Sequence, residues 1–365
     1  MRTAISLFSG CGGLDLGFKK AGFDILLGVD TDPFAAASHS INFPGSKFFQ
    51  GSIADFTRET AEALVGKNAL KEVDLLIGGP PCPPFSKSRF YLKDKPRAMN
   101  DPVGEVTISG YLNTLKWLKP KAFVLENVAG MAFKVHKETL DHILAFAKQL
   151  GYKTSTRVLN AADFGVPQIR QRFFIVGTLV SDFVWPEATH RDPSADSIAD
   201  LPDWLTAGDA ISDLDTVENA DDKGHVAGGK HRDLLHQIPP GDNYLFLTAK
   251  RGHPDPQFEW RSRYWSFLLK LSPDMPAWTI QARRSNNMGP LHWKNRILRI
   301  EEVMRLQTFP DDWYLHGRVE QQWRQVGNAV PPKLAQALGE AVAAAMEEGE
   351  DVAERAHYAR PFKEH

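Results

Sequence analysis

The chain has 365 residues, with 43 Lys and Arg against 45 Asp and Glu, 42% apolar and 24% charged, a balance that excludes disordered, collagen-like and coiled-coil classes. No run of about 18 apolar residues occurs, and the first residues lack an apolar stretch followed by a cleavage site, so the expectation is a cytoplasmic protein with no membrane or secretory segment. Two cysteines, Cys11 and Cys82, are too few for a disulfide framework or a four-thiolate zinc site and fit a reducing cytosol, while the length suits about two domains.

Residues 1–180 alternate short apolar or β-branched runs with amphipathic ones. AISLF, DILLGVD, VDLLIGG, KAFVLENV and RFFIVGT read as strands, nearly continuous in apolar character as in a parallel sheet covered on both faces. VTISGYLNTLKWLK and HKETLDHILAFAKQLG read as helices, the second stopped by Gly151. The fold class is therefore α/β, a doubly wound, mostly parallel sheet. After Trp185 the texture changes to Pro-, Asp- and Gly-punctuated sequence, which predicts a smaller, irregular second domain over 186–310. A helical pattern resumes at RIEEVMRLQTF and in PPKLAQALGEAVAAAMEE, so residues 311–365 are expected to return to the first domain, 1–185.

The near-neutral total hides segregation. Pro186 to Asp222 carries eleven acids and one base, whereas Lys230 to Ile300 carries twelve bases and five acids, and Lys87, Arg89, Lys93, Lys95 and Arg97 oppose only Asp94. Basic blocks of this kind are electrostatic footprints of a polyanion partner or, alternatively, solvated faces.

Chemistry gathers at strand ends. The first strand runs into Phe8-Ser9-Gly10-Cys11-Gly12-Gly13, and Asp30 ends the next. Glycines at a strand-to-helix turn let backbone approach a ligand, and an acid ending the second strand can bond both hydroxyls of a ribose. The dinucleotide pattern would place a third glycine where Asp15 stands; an acid there suits a cationic or amino-acid-bearing cofactor, which favours S-adenosylmethionine over NAD, with a purely structural turn as the alternative. Cys82, in GGPPCPPFS directly after the strand VDLLI, has its backbone fixed by four prolines and reads as an aimed nucleophile, with a small buried hydrophobe as the alternative. Cys11 reads as a lining residue. Glu126 ends the strand KAFVL, and in QIRQR the alternate residues Arg170 and Arg172 are expected to point to one side. A nucleophile, an acid and carbonyl or anion binders thus arrive at one sheet edge. His225, His231 and His236 lack zinc spacing and read as surface residues, so no metal is expected.

LFSGCGGLDLGF, GPPCPPFS, ENV, QIRQR, RLQTFPDDW and QVGNAVPP, in this order from Ala4 to about Ala345, resemble the bacterial DNA cytosine-5 methyltransferases. The resemblance implies a Rossmann-like class I methyltransferase domain with a target-recognition domain, S-adenosylmethionine as cofactor, and methylation of carbon 5 of a flipped-out cytosine in double-stranded DNA. It implies that Cys82 adds to carbon 6, that Glu126 bonds ring nitrogen 3 and the exocyclic amine, and that Arg172, with Arg170, holds the ring oxygen and supports the loop. Phe8, Gly10, Gly13, Leu14, Asp30, Thr31, Ile53, Gly79, Asn328 and Val330 would hold the cofactor. Ser86, Lys87 and Arg89 would contact DNA after the nucleophile, and Thr279, Arg283 and Arg284, in MPAWTIQARRS, would do so in the recognition region. The aromatic-rich basic segment with Trp260, Tyr264, Trp265, Trp278 and Trp293 would face the groove.

Two positions depart from the family pattern. Pro83 follows the nucleophile where glutamine is usual, and Ser52 stands where an acid often reads the adenine amine, leaving Asp55 or a backbone carbonyl to substitute. The setting implied is a monomer in the bacterial cytosol, nucleoid-associated, with or without a cognate restriction endonuclease. A transfer-RNA cytosine-5 methyltransferase of the same architecture and a catalytically silent DNA-binding regulator are the competing readings. The roughly 110-residue recognition region favours DNA over transfer RNA, and the intact Cys82, Glu126 and Arg172 disfavour the silent regulator.

Overall fold

The computed structural model describes residues 2–81, 101–195, 200–216 and 223–358. The expected site residues Cys82, Ser86, Lys87 and Arg89 lie outside the described residues. The chain divides into two compact units, one made of Met1–Leu159, Gln171–Glu187 and Leu334–His365, the other of Asn160–Arg170 and Ala188–Lys333. The sequence boundaries at 185 and 310 thus stand beside observed crossings near 160, 170, 187 and 333.

The first unit is a seven-stranded sheet in the order β3-β2-β1-β4-β5-β8-β6. Its strands are β1 (Arg2–Leu7), β2 (Phe23–Asp30), β3 (Lys47–Gln50), β4 (Leu75–Gly78), β5 (Ala122–Val128), β6 (Lys153–Asn160) and β8 (Gln171–Thr178). β1 pairs parallel with β2 and β4, β2 with β3, and β4 with β5, whereas β8 runs antiparallel to β5. The five apolar runs read from sequence are the central strands. The reading misses β3 and β6 because they flank them: KFFQ is only 4 residues long, and KTSTRVLN is largely polar and exposed.

Helices cover the sheet, with the short α3 (Arg58–Val65) and α4 (Lys67–Lys71) between β3 and β4. α1 (Gly13–Lys20) follows β1, and α2 (Pro33–Asn42) follows β2, with proline at its start and the Asp32 side chain accepting from the Phe34 amide. α5 (Pro102–Leu118) begins on Asp101, which caps the amides of Val103 and Gly104. Its Tyr111 is buried and donates its hydroxyl to the Val124 carbonyl, 2.9 Å away, fastening the helix to β5. α6 (Lys137–Gln149) is likewise amphipathic and is followed by Gly151 at φ +94°, as the sequence reading requires. The last helix, α11 (Pro332–Tyr358), packs Gly339 against Phe18 and Ala21 so closely that a Cβ there would lie 2.8 Å from Ala21. The cover on this flank is thereby built from segments more than 300 residues apart.

The second unit carries little regular structure. β7 (Gln168–Ile169) and β9 (Ala277–Trp278) pair over two residues, and α7 (Ala207–Ile211), α8 (Arg232–Gln237), α9 (Ile300–Leu306) and α10 (Val319–Asn328) are short. Its interior leans on charge as well as apolar contact. Glu302 is fully buried and holds Arg296 through two bonds of 2.6 and 2.8 Å, and Arg296 also reaches Asp215. Among the described residues no helix is long and apolar enough to cross a membrane.

Candidate active site

The glycine-rich turn after β1 takes positive φ at Phe8 (+56°), Gly10 (+55°) and Gly12 (+89°), and Gly12 caps α1. At Gly10 a side chain would meet nothing within 4 Å, so the turn opens onto free space there. Ser9 stitches the turn to β2: its hydroxyl donates to the Ser6 carbonyl (2.9 Å) and accepts from the Val29 amide (3.1 Å). Asp30 ends β2 as expected. One of its oxygens accepts the Gly10 amide and the other the Asp32 amide, both at 2.9 Å. Burial pushes its carboxyl above the usual range, against the lowering effect of these amides. Thr31 is exposed, Leu14 and Ile53 are buried, and Gly110 leaves room for Ile53, which an added Cβ would approach to 2.6 Å. Ser52 accepts the Ala54 amide at 3.2 Å, and Asp55 beside it is exposed.

Two readings of this turn need correction or completion. Asp15 does not face a ligand: it is fully buried, accepts from the Ser6 hydroxyl at 2.6 Å and lies 2.7 Å from His39 Nε2. Its place in the first turn of α1 directs it into the interior, so its charge is no guide to the cofactor. Cys11 is buried, and desolvation drives its thiol far above the ordinary range, leaving it protonated at neutral pH.

At the ends of β4 and β5, Gly79 touches Glu126: a Cβ at Gly79 would lie 2.7 Å from Glu126 Oε2. The Asn127 side chain donates to the Pro80 carbonyl at 3.1 Å, tying the proline turn to β5. Because β8 is antiparallel to β5, its beginning lies where the parallel strands end, and Arg172 stands opposite Val128. Its Nε is 2.9 Å from Glu126 Oε1, with both side chains about one-tenth exposed. A carboxylate held by a guanidinium and packed on a glycine can exchange hydrogen bonds with a planar, polar ring.

Arg170 behaves differently from Arg172, contrary to the alternation expected of QIRQR. The chain leaves extended pairing at Arg170, between β7 and β8, so the period of two does not run through it. Arg170 is 1% exposed and donates to the carbonyls of Ile280 (2.9 Å), Gly327 (2.7 Å) and Ala329 (2.9 Å) within the second unit. The Gly327 and Ala329 carbonyls flank Asn328, which is exposed, and precede Val330, which is buried. Gln168 joins the same web through Gln307 and the Ile280 amide, both at 2.9 Å.

In the recognition segment Thr279 and Arg283 are exposed, Thr279 donating to the Ile169 carbonyl at 2.7 Å. Arg284 is turned inward, to the Gly224 carbonyl (2.8 Å) and Glu320 (3.8 Å). Much of the local charge is already paired: Lys270 is buried on the Ile238 carbonyl and Asn295, and Asp213 and Asp215 of the acidic stretch bind Arg305, Lys294 and Arg296. The cations left outward include Arg283, Lys230, Arg232, Lys250, Arg261 and Arg263.

Sequence reasoning missed why these last residues are presented. Buried Tyr244 accepts from the Arg263 amide (3.1 Å) and donates to its carbonyl (2.8 Å), and buried Asn243 donates to the Trp265 carbonyl (2.8 Å). The exposed stretch Arg261–Trp265 is therefore clamped from beneath, with Tyr264 74% exposed. The DNY in IPPGDNY was the available signal.

The profile of the C-5 cytosine-specific DNA methylases matches residues 2–344. The chain is 39% identical over 363 residues to the type II methyltransferase M.SacI of Streptomyces achromogenes, covering 92% of this chain and 90% of that protein. It is 33% identical to M1.HphI of Haemophilus parahaemolyticus, covering 93% and 86%. Among solved structures, a DNA modification methyltransferase encoded within an E. coli prophage superposes with a TM-score of 0.69 at 21% identity, over 95% of this chain and 100% of that one. The chain belongs to the C-5 cytosine-specific DNA methylase family: it is a DNA cytosine methyltransferase with the Rossmann-like fold read from its sequence.

Proposed function

We propose that the enzyme moves a methyl group from S-adenosylmethionine to carbon 5 of a cytosine swung out of a specific duplex sequence, through a covalent bond from Cys82 to carbon 6. The observation that carries this reading is the Glu126–Arg172 pair beside Gly79, at the strand end that leads into Cys82. The glycine turn fits the cofactor: free space over Gly10 admits a ligand against backbone, and the two Asp30 oxygens, each using one lone pair on an amide, keep another for ribose hydroxyls. Phe8, Gly10, Gly13, Leu14, Asp30, Thr31, Ile53 and Gly79 would hold it, and Asn328 and Val330 are assigned to it by the family pattern alone. S-adenosylmethionine supplies an electrophilic methyl sulfonium when bound.

The chain's own residues do the rest. The Cys82 thiolate forms the sulfur–carbon 6 bond, and the displaced ring electrons make carbon 5 nucleophilic. Glu126 hydrogen-bonds ring nitrogen 3 and the exocyclic amine, so that negative charge building in the ring meets a proton. Arg172 orients Glu126 and offers its remaining N–H groups to the ring oxygen. Once carbon 5 carries the methyl group, its proton leaves to a base and the electron pair expels the Cys82 thiolate. Arg170, engaged by three carbonyls, supports the segment around Asn328 and does not touch the ring.

Swinging the base out costs a few kcal/mol, which phosphate contacts offset. Ser86, Lys87 and Arg89 are assigned to the strand near the target, and Thr279 and Arg283 to the recognition region. The clamped, cationic Arg261–Trp265 stretch supports an outward DNA face, whereas Arg284 serves the fold. The type II relatives support a restriction-modification setting in the bacterial cytosol, where the enzyme would act as a monomer, with or without a cognate restriction endonuclease. Incubation with tritiated S-adenosylmethionine and either duplex DNA or transfer RNA tests the reading. Label is expected in DNA; label in RNA alone, or in neither, would overturn it.

A further inference from the structure

Asp15 has no part in the reaction just described, yet it is a carboxylate with zero exposure whose two partners, Ser6 and His39, are also fully buried. Burying such a group is expensive, and an apolar trio of similar shape would hold the fold as well, so the network's use lies in the geometry it enforces. That geometry is specific. Ser6 is on β1 and Asp15 in α1, immediately before and after the Phe8–Gly13 turn, and their 2.6 Å bond closes the base of that turn. His39 is on α2, the helix that starts three residues after Asp30, and its Nε2 lies 2.7 Å from the other Asp15 oxygen.

Because a carboxylate only accepts, His39 donates from Nε2; its Nδ1 is buried with no partner among the described residues. The imidazole is instead gripped by rings, stacked on Phe43 at 4.4 Å and tilted against Phe48 at 5.0 Å. Phe48 sits on β3 opposite Gly28 of β2, where any Cβ would come within 2.9 Å of the Phe48 ring and 3.0 Å of the Ser9 hydroxyl. The contacts thus run from β3 through His39 and Asp15 to β1, enclosing both turns that carry the nucleoside contacts.

We infer that Ser6, Asp15 and His39 are positioning residues that set the distance between the Phe8–Gly13 turn and the Asp30–Asp32 turn, and thereby the affinity for S-adenosylmethionine. The inference rests on the cofactor reading above. It is tested on the full chain with Ser6→Ala, Asp15→Asn, His39→Gln and the Asp15→Asn/His39→Gln pair. Calorimetry gives the cofactor Kd, steady-state rates give kcat and the KM for each substrate, and melting is recorded alongside. The expected result is a rise of about tenfold in Kd and in KM for the cofactor in each single variant, the loss of one charge-assisted hydrogen bond. KM for DNA and kcat at saturating cofactor should stay within about twofold of the parent, and the double variant should lose no more than the worse single one, because both act through one contact. Folded variants that bind cofactor like the parent, whatever their melting temperature, would overturn the inference, as would an equal rise in KM for DNA. Should Asp15→Asn not fold, Ser6→Ala, which removes a single hydroxyl, is read by the same criteria. A parent that fails to bind S-adenosylmethionine overturns the cofactor reading itself, whereas a binding parent with indifferent variants overturns only this inference.

Discussion

Replacing Arg170 with methionine preserves most of its stem and removes the guanidinium that serves the carbonyls of Ile280, Gly327 and Ala329. Each buried acceptor left without a donor costs about 1–3 kcal/mol, while release from burying the charge offsets part of the sum. A net destabilisation of about 3–5 kcal/mol follows, and at about 2–4 °C per kcal/mol the second unit should melt roughly 6–20 °C below the parent. Arg170→Lys should fall between, since one ammonium cannot span three carbonyls that a planar fork reaches together. The assay is convenient because seven of the nine tryptophans belong to the second unit, so tryptophan emission reports its unfolding. A methionine variant melting within about 2 °C of the parent would show that the carbonyls find other donors and that Arg170 is not the peg of this unit.

Other outcomes follow from single contacts. Gly79→Ala places a methyl group 2.7 Å from Glu126 Oε2 and must displace that carboxylate, so kcat should fall at least about tenfold with little change in melting, as for other misplacements of about 1 Å; an unchanged kcat would remove Glu126 from the reaction. Cys82→Ser should abolish methyl transfer in the tritium assay while duplex binding by mobility shift persists, and a normal rate would refute the nucleophile. His292 is buried, and desolvation with the nearby Arg296 pushes its pKa down to about 3 from 6.5. The unfolded chain therefore takes up a proton near pH 6.5 that the folded chain refuses until about pH 3, so stability falls as pH drops through that window, by about 2 kcal/mol at pH 5. Urea midpoints at pH 7.5 and 5 should differ less in His292→Gln than in the parent, and an equal difference would rule out this histidine as the source.

The central strands and the glycine turn were legible because apolar runs and positive-φ glycines are local signals. Glu126 and Arg172 were legible for a related reason, each marking a strand terminus. What sequence could not show was direction. Asp15 stands beside the turn yet faces inward, and the side it faces depends on where α2 brings His39. Arg170 looks like the twin of Arg172 two positions away, but the break in pairing at 170 hands it to a different set of partners. In the recognition region the twelve bases read alike, although buried Lys270 and the paired Arg296 and Arg284 are already committed to internal acceptors. Tyr244 and Asn243 were missed because their effect is exerted on the backbone of residues about twenty positions later.

The packing of Gly339 on Phe18 and Ala21 makes two segments more than 300 residues apart one cooperative piece. During synthesis β1 emerges more than 300 residues before the helix that shelters α1, so the nascent sheet waits with that flank wet until that helix is made. A stop codon just after Lys333 would therefore leave the recognition unit with its whole sequence and strip cover from the oldest part of the chain, and such a fragment should be cleared by proteases from its amino-terminal half first.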